Sequence, residues 1–197
     1  MQEPQIDIEA LKKDENFIND LKKLELEMIN EKSIDKGYRL LGTKLAIEAS
    51  EDDINDIFTF IVNQAFDVLA ENLTKHKGFS IQDPEELATA RAIYEHGIQR
   101  YSENDKKGAK EIFLVLHHTI EDDELKDAMM IHACAVMADH TFDSFIESLA
   151  DTDAIDENDP TAFFIKSFKQ PNDILLTMFG KYVKQGEEEL KVLDENK

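Results

Sequence analysis

Apolar positions recur at three- and four-residue steps over most of this chain, the period of an amphipathic helix. Phe17, Leu21, Leu24 and Met28, widened by Ile18 and Ile29, form such a stripe and predict one long helix over residues 6–31. A second helix follows Ser33 and runs to about residue 49. Glu51, Asp52 and Asp53 then suit the positive end of a third helix, whose broad apolar face is Ile54, Ile57, Phe58, Ile61, Ala65, Val68 and Leu69. That helix ends near residues 75–77, with Gly78 placed as a left-handed cap. The plainest start signal is Asp83-Pro84-Glu85-Glu86. Asp83 can cap, Pro84 fits the first helical position, and Glu86 stands where a capping box puts its carboxylate. The helix it opens breaks around Asn104, and a partner runs over residues 105–118. Further helices are predicted over residues 123–138 and around Phe142, Phe145 and Leu149. After an acidic loop, Asp159-Pro160 restarts a helix holding Phe163, Phe164 and Phe168. Pro171 begins the last helix, with Ile174, Leu175, Met178 and Phe179 on its inner side.

Composition agrees with an all-α fold. Helix formers dominate, and seven Gly and four Pro are few for a fold that needs many tight turns. A hydrophobic content of 42% with 12 Phe supplies a core despite 33% charge, and 197 residues are enough to bury one. The expected organisation is an N-terminal helical extension over residues 1–78, a domain of antiparallel helical hairpins over 79–190, and a frayed acidic tail over 191–197. The N-terminal stripe also offers a homodimer contact through its helices.

One hairpin carries more than periodicity. Tyr94, Gly97 and Tyr101 precede the polar turn, and Ala109, Phe113 and Leu116 follow it. Gly97 and Ala109 allow close approach of two backbones, and Phe113 fills the gap. Tyr94 and Tyr101, seven apart, share a face. These spacings resemble a tetratricopeptide unit, whose usual product is a groove for another polypeptide. More narrowly, Tyr94, Tyr101, Ala109, Phe113 and Leu116, continuing into His132-Ala133-Cys134 and Phe142-Asp143, resemble the class II chaperones of type III secretion systems, which bind translocator proteins before export. The likeness covers about residues 80–150. It departs at Asn104 and His132, where glycine is expected, and at Ser148, where an aromatic normally packs. The resemblance implies a non-catalytic chaperone or adaptor whose groove is lined by Tyr94, Ile98, Tyr101, Met129 and Val136 and holds an extended client segment. A helical hairpin of unrelated origin, with all five residues in the core, has the same periodicity.

The formal net charge of -21 repels phosphate backbones and anionic lipid, which argues against nucleic-acid and membrane-surface partners. No apolar run has membrane-spanning length, and the N-terminus lacks a signal peptide's pattern, so a cytoplasmic protein is expected. Cys134, the single cysteine, sits in an apolar run as a small core residue. His117, His118, Glu121, His132 and His140 resemble the ligand run of a hemerythrin-like bundle, the alternative reading, but earlier helices offer only His76 and His96. The acidic loop over residues 151–159 lacks the glycine and closing glutamate of a calcium-binding loop. No phosphate-binding glycine motif or activated nucleophile is present, so no enzyme activity, metal or cofactor is expected. A helical structural or regulatory subunit is the third reading.

Overall fold

A computed structural model describes residues 7–156 and 158–194. Within these, ten α-helices account for the regular structure: α1 (Ile8–Leu11), α2 (Glu15–Glu31), α3 (Ile34–Ala46), α4 (Glu51–Lys75), α5 (Pro84–Ser102), α6 (Lys106–Thr119), α7 (Asp123–Met137), α8 (Phe142–Ser148), α9 (Asn172–Met178) and α10 (Gly180–Asp194). The only extended pairings among the described residues are two isolated bridges, Phe79 with Ile120 and Ala150 with Phe168. The fold is all-α, built of helical hairpins. Among the described residues no helix is long and apolar enough to cross a membrane.

Two compact units divide at Asp67 and Val68, inside α4, rather than at the expected boundary after residue 78. The segment around Gly78 is instead bound into the second unit. Phe79 N–H donates to Thr119 O at 2.7 Å, and Glu121 N–H donates to Phe79 O at 3.0 Å.

In the first unit the long N-terminal helix is interrupted. Asp14 accepts from Asn16 N and Phe17 N, so it caps α2 and ends α1 a few residues earlier. Phe17, Leu21 and Leu24 are half-buried and Met28 is buried, whereas Ile29 is exposed and stands off the stripe. Lys32, in the left-handed region at φ 53°, turns the chain, and Ser33 caps α3 through Lys36 N at 3.1 Å. A Cβ on Gly37 would lie 2.8 Å from Ile61 Cγ1, so this glycine sets how closely α3 meets the first half of α4.

In the second unit α5 and α6 form an antiparallel hairpin, turned by Asn104 at φ 63° in place of a glycine. Asp83 caps α5 by accepting from Glu85 N and Glu86 N. Glu86 does not close a capping box. Its carboxylate reaches further back, to Ser80 N at 2.8 Å and Lys77 Nζ at 2.5 Å. The left-handed residue after α4 is His76, at φ 52°, not Gly78. Gly78 is required for space: a Cβ there would meet Thr119 O and the Glu121 side chain at 2.8 Å.

Helix α6 packs against both α5 and α7, α10 packs on α6 and α7, α9 on α7, and α8 on α5. Every residue from Ala128 to Val136 of α7 is buried, which makes α7 the central helix. Two C-terminal expectations change. The chain after Asp159-Pro160 is not helical but a succession of turns and extended backbone. Its last helical segment is split into α9 and α10; Leu175 alone of α9 is buried, with Ile174 and Met178 exposed. Residues 191–194, expected to fray, continue α10, while 195–197 lie outside the described residues.

Candidate functional site

Tyr94 and Tyr101 project from the same face of α5, as their spacing requires, but that face is closed. Each is 2% exposed. The Tyr94 ring meets Phe113 of α6 at 6.1 Å, His132 of α7 at 5.6 Å and Phe164 at 4.9 Å. Tyr101 meets Phe142 and Phe145 of α8 at 5.6 and 5.9 Å, and its hydroxyl donates to His140 O at 3.0 Å. Met129 and Val136 are also buried, because α7 is enclosed on all sides. Ile98 is half-exposed and lies outside the aromatic cluster. Four of the five expected groove residues are therefore core in this state of the chain. An open groove along α5 and α7 is not what the structure holds.

What covers the face is the chain itself. Residues 161–169 form a strap across α5, α7 and α8. It begins with a tight turn in which Asp159 accepts from Thr161 N at 2.8 Å and Thr161 Oγ1 at 2.7 Å. Those bonds and the ion pair with Lys166 hold the Asp159 carboxyl down to about 2. Beyond the turn, Phe163 lies under the Arg91 guanidinium at 4.8 Å, and Phe164 enters against Tyr94. Lys166 Nζ pairs with Glu124 at 3.0 Å and Asp159 at 2.8 Å. Phe168 reaches His132 at 6.0 Å and Phe145 at 6.2 Å.

A chain of hydrogen bonds runs beneath the strap. His132 Nδ1 lies 2.7 Å from Ala128 O, which can only accept, so Nδ1 carries the proton. Nε2 is then the acceptor for the Tyr94 hydroxyl at 3.2 Å. The same hydroxyl oxygen accepts from Ile165 N–H of the strap at 3.0 Å. Burial pushes the His132 imidazolium down to about 4, against the opposing pull of the Ala128 carbonyl. Burial likewise raises the Tyr94 phenol far above its ordinary value, with the Ile165 bond opposing. The network is neutral, buried and satisfied, which is the chemistry of packing and register rather than of proton transfer. Cys134, two residues further along α7, is wholly buried, and burial pushes its thiol up to about 12.

The histidines otherwise serve locally. His117 donates through Nδ1 to Lys126 O at 2.8 Å, and His140 meets Ser144 Oγ at 3.1 Å. His76 and His118 share the rim of a recess of about 240 Å³ with Asn72, Lys77 and Thr119. Among the described residues no three His, Cys, Asp or Glu side chains come close enough together to hold a metal ion.

Sequence reasoning missed Phe164, Ile165 and Phe168 as parts of this site, and read His132 only as a departure from the repeat and a member of the candidate metal run. Two signals bear on them. The run from Ala128 to Val136, apolar but for His132, marks a helix buried all round and a histidine enclosed within it. Phe163-Phe164-Ile165, followed by Phe168, is too apolar to be left in water. Comparison with protein-family models, with curated proteins and with solved structures finds no match to this chain. The class that the fold and site define is an all-α helical-hairpin protein with an internal strap seated on its central helices.

Proposed function

We propose that this protein is a non-catalytic chaperone or adaptor that holds an extended client polypeptide across the face formed by α5, α7 and α8. The supporting observation is the strap. Non-helical backbone already lies on the Tyr94 face, inserts aromatic anchors, and bonds through an amide to the Tyr94 hydroxyl. Those are the contacts a client segment would make. The tetratricopeptide-like arrangement and the narrower likeness to type III secretion chaperones belong to the same proposal, as does a cytoplasmic site of action. A secreted or translocated protein, kept soluble before export, is the client class this reading favours. The acidic surface suits that role by keeping a chaperone–client pair apart from other complexes.

A second contact is assigned to the first unit. Leu26 and Ile29 of α2 are exposed, three apart and so on one helix face, and we place a homodimer contact there.

Co-expression with the products of adjacent genes, followed by sizing, tests the client reading. A stable stoichiometric complex with one of them supports it, most directly if that product is a translocator. A chain that stays uncomplexed with every one of them overturns it.

A further inference from the structure

We propose that the strap over residues 161–169 is a tethered stand-in for the partner, and that the partner segment is an extended peptide with two aromatics four apart flanking a basic residue. The inference deepens the chaperone reading and rests on it: it states what the client looks like and what must move before it binds.

The strap spells the pattern out. Phe164, Lys166 and Phe168 are its anchors, and each has a separate receptor in the helices: Tyr94 for Phe164, Glu124 for Lys166, and His132 with Phe145 for Phe168. Ile165 contributes its backbone N–H to the Tyr94 hydroxyl, a bond any non-proline residue can make. Specificity therefore lies in the two rings and the cation. A cation is favoured twice over, by Glu124 on α7 and by the charge of -21 on the whole chain. An acidic segment would meet repulsion from both.

The strap's C-terminal end is tied to the chain after α8 by Asp151 N–H donating to Ser167 O at 2.9 Å and Lys169 N–H donating to Leu149 O at 2.8 Å. Strap residues Phe164 to Ser167 and residues 151–156 line a cleft of about 60 Å³, so this loop packs partly on itself. Lifting this loop breaks no bond inside any helix. It uncovers the Tyr94 hydroxyl, whose lost Ile165 bond is replaced by water or by a partner amide at the same place. A partner with the same pattern replaces the strap contact for contact. The strap thus sets the affinity: if the face is open in roughly a tenth of molecules or fewer, binding weakens by roughly tenfold or more.

The test uses the full chain and a fluorescent peptide copying residues 160–170. The control peptide has alanine in place of the phenylalanines corresponding to Phe164 and Phe168. Lys166→Glu loosens the strap by setting a third acid against Glu124 and Asp159 while leaving every apolar contact in place. In the unmodified chain the Ile165 amide is expected to exchange with solvent faster than the Leu116 and Ala133 amides. In Lys166→Glu it exchanges faster still, and the peptide binds at least tenfold tighter than to the unmodified chain, with no binding of the control. An Ile165 amide that exchanges only as slowly as Leu116 and Ala133 makes the strap part of the permanent core and overturns the inference. So does a folded Lys166→Glu chain with a fast Ile165 amide that binds the peptide no tighter. If Lys166→Glu does not fold, exchange in the unmodified chain decides alone. A client that binds both chains equally removes the strap from the mechanism and keeps the chaperone reading; peptide binding without any client does the reverse.

Discussion

The Tyr94 hydroxyl joins three parts of the chain, since it links α5 to His132 of α7 and to the Ile165 amide of the strap. Tyr94→Phe keeps the ring and removes the junction, leaving a buried N–H and a ring nitrogen without partners. It should lower stability by about 2 kcal/mol, measured by urea unfolding. The alanine variants suggested by an open groove are poorer probes, because truncating two buried tyrosines empties the core. His132 gives a pH signature of definite sign. Its folded value of about 4 lies below the ordinary 6.5, so between these values the unfolded chain binds a proton that the folded chain does not. Stability from this group is full above pH 6.5 and falls as pH drops towards 4, amounting to a loss of roughly 2 kcal/mol at pH 5. Unfolding curves at pH 7 and pH 5 should show that difference, and His132→Gln should abolish that share of it. The shared face of Tyr94 and Tyr101 was legible from their spacing. Its burial was not, because the covering residue Ile165 lies 71 positions further on.

Helix starts were the most legible elements, since a cap acts over three residues. Asp83 accepts the expected amide bonds, and Ser33 and Asp105, read only as helix boundaries, cap their helices in the same way. The same local chemistry misled at Asp14, where a cap breaks an otherwise continuous apolar stripe, and at Asp159. There the aspartate and Thr161 satisfy one another, and the following bonds, Ala162 N–H to Asp159 O and Phe164 N–H to Thr161 O, span only three residues. Docking of Phe164 and Phe168 then outweighs a helix that would carry only one of its faces to the core. Glycines test the packing of elements directly. Gly42 of α3 has open space where a side chain would begin, so Gly42→Ala should raise stability by about 0.5–1 kcal/mol. Gly78→Ala should lower it by about 1–3 kcal/mol, because the Thr119 carbonyl cannot move without breaking its bond to Phe79. Paired melting curves of the two variants check both signs.

At the scale of the molecule, 43 acidic against 22 basic residues leave the folded chain repelling itself. Raising sodium chloride from about 20 mM to about 300 mM shortens the screening length from roughly 20 Å to about 6 Å and should raise the melting midpoint. A midpoint that falls instead would mean that the ion pairs outweigh the repulsion. The homodimer contact proposed on α2 is checked by sizing the unmodified chain and Leu26→Glu with Ile29→Glu: the proposal expects a dimer for the first and a monomer of unchanged helix content for the second. The buried thiol of Cys134 has a practical consequence for all of these measurements. As the chain's single sulfhydryl, sealed in the central helix and held in its unreactive protonated form, it is a built-in stopwatch. Its labelling by an alkylating reagent should be negligible in the native protein and complete once the chain is unfolded. The rate of labelling then times the opening of the α7 environment in any variant, without a probe being added to the protein.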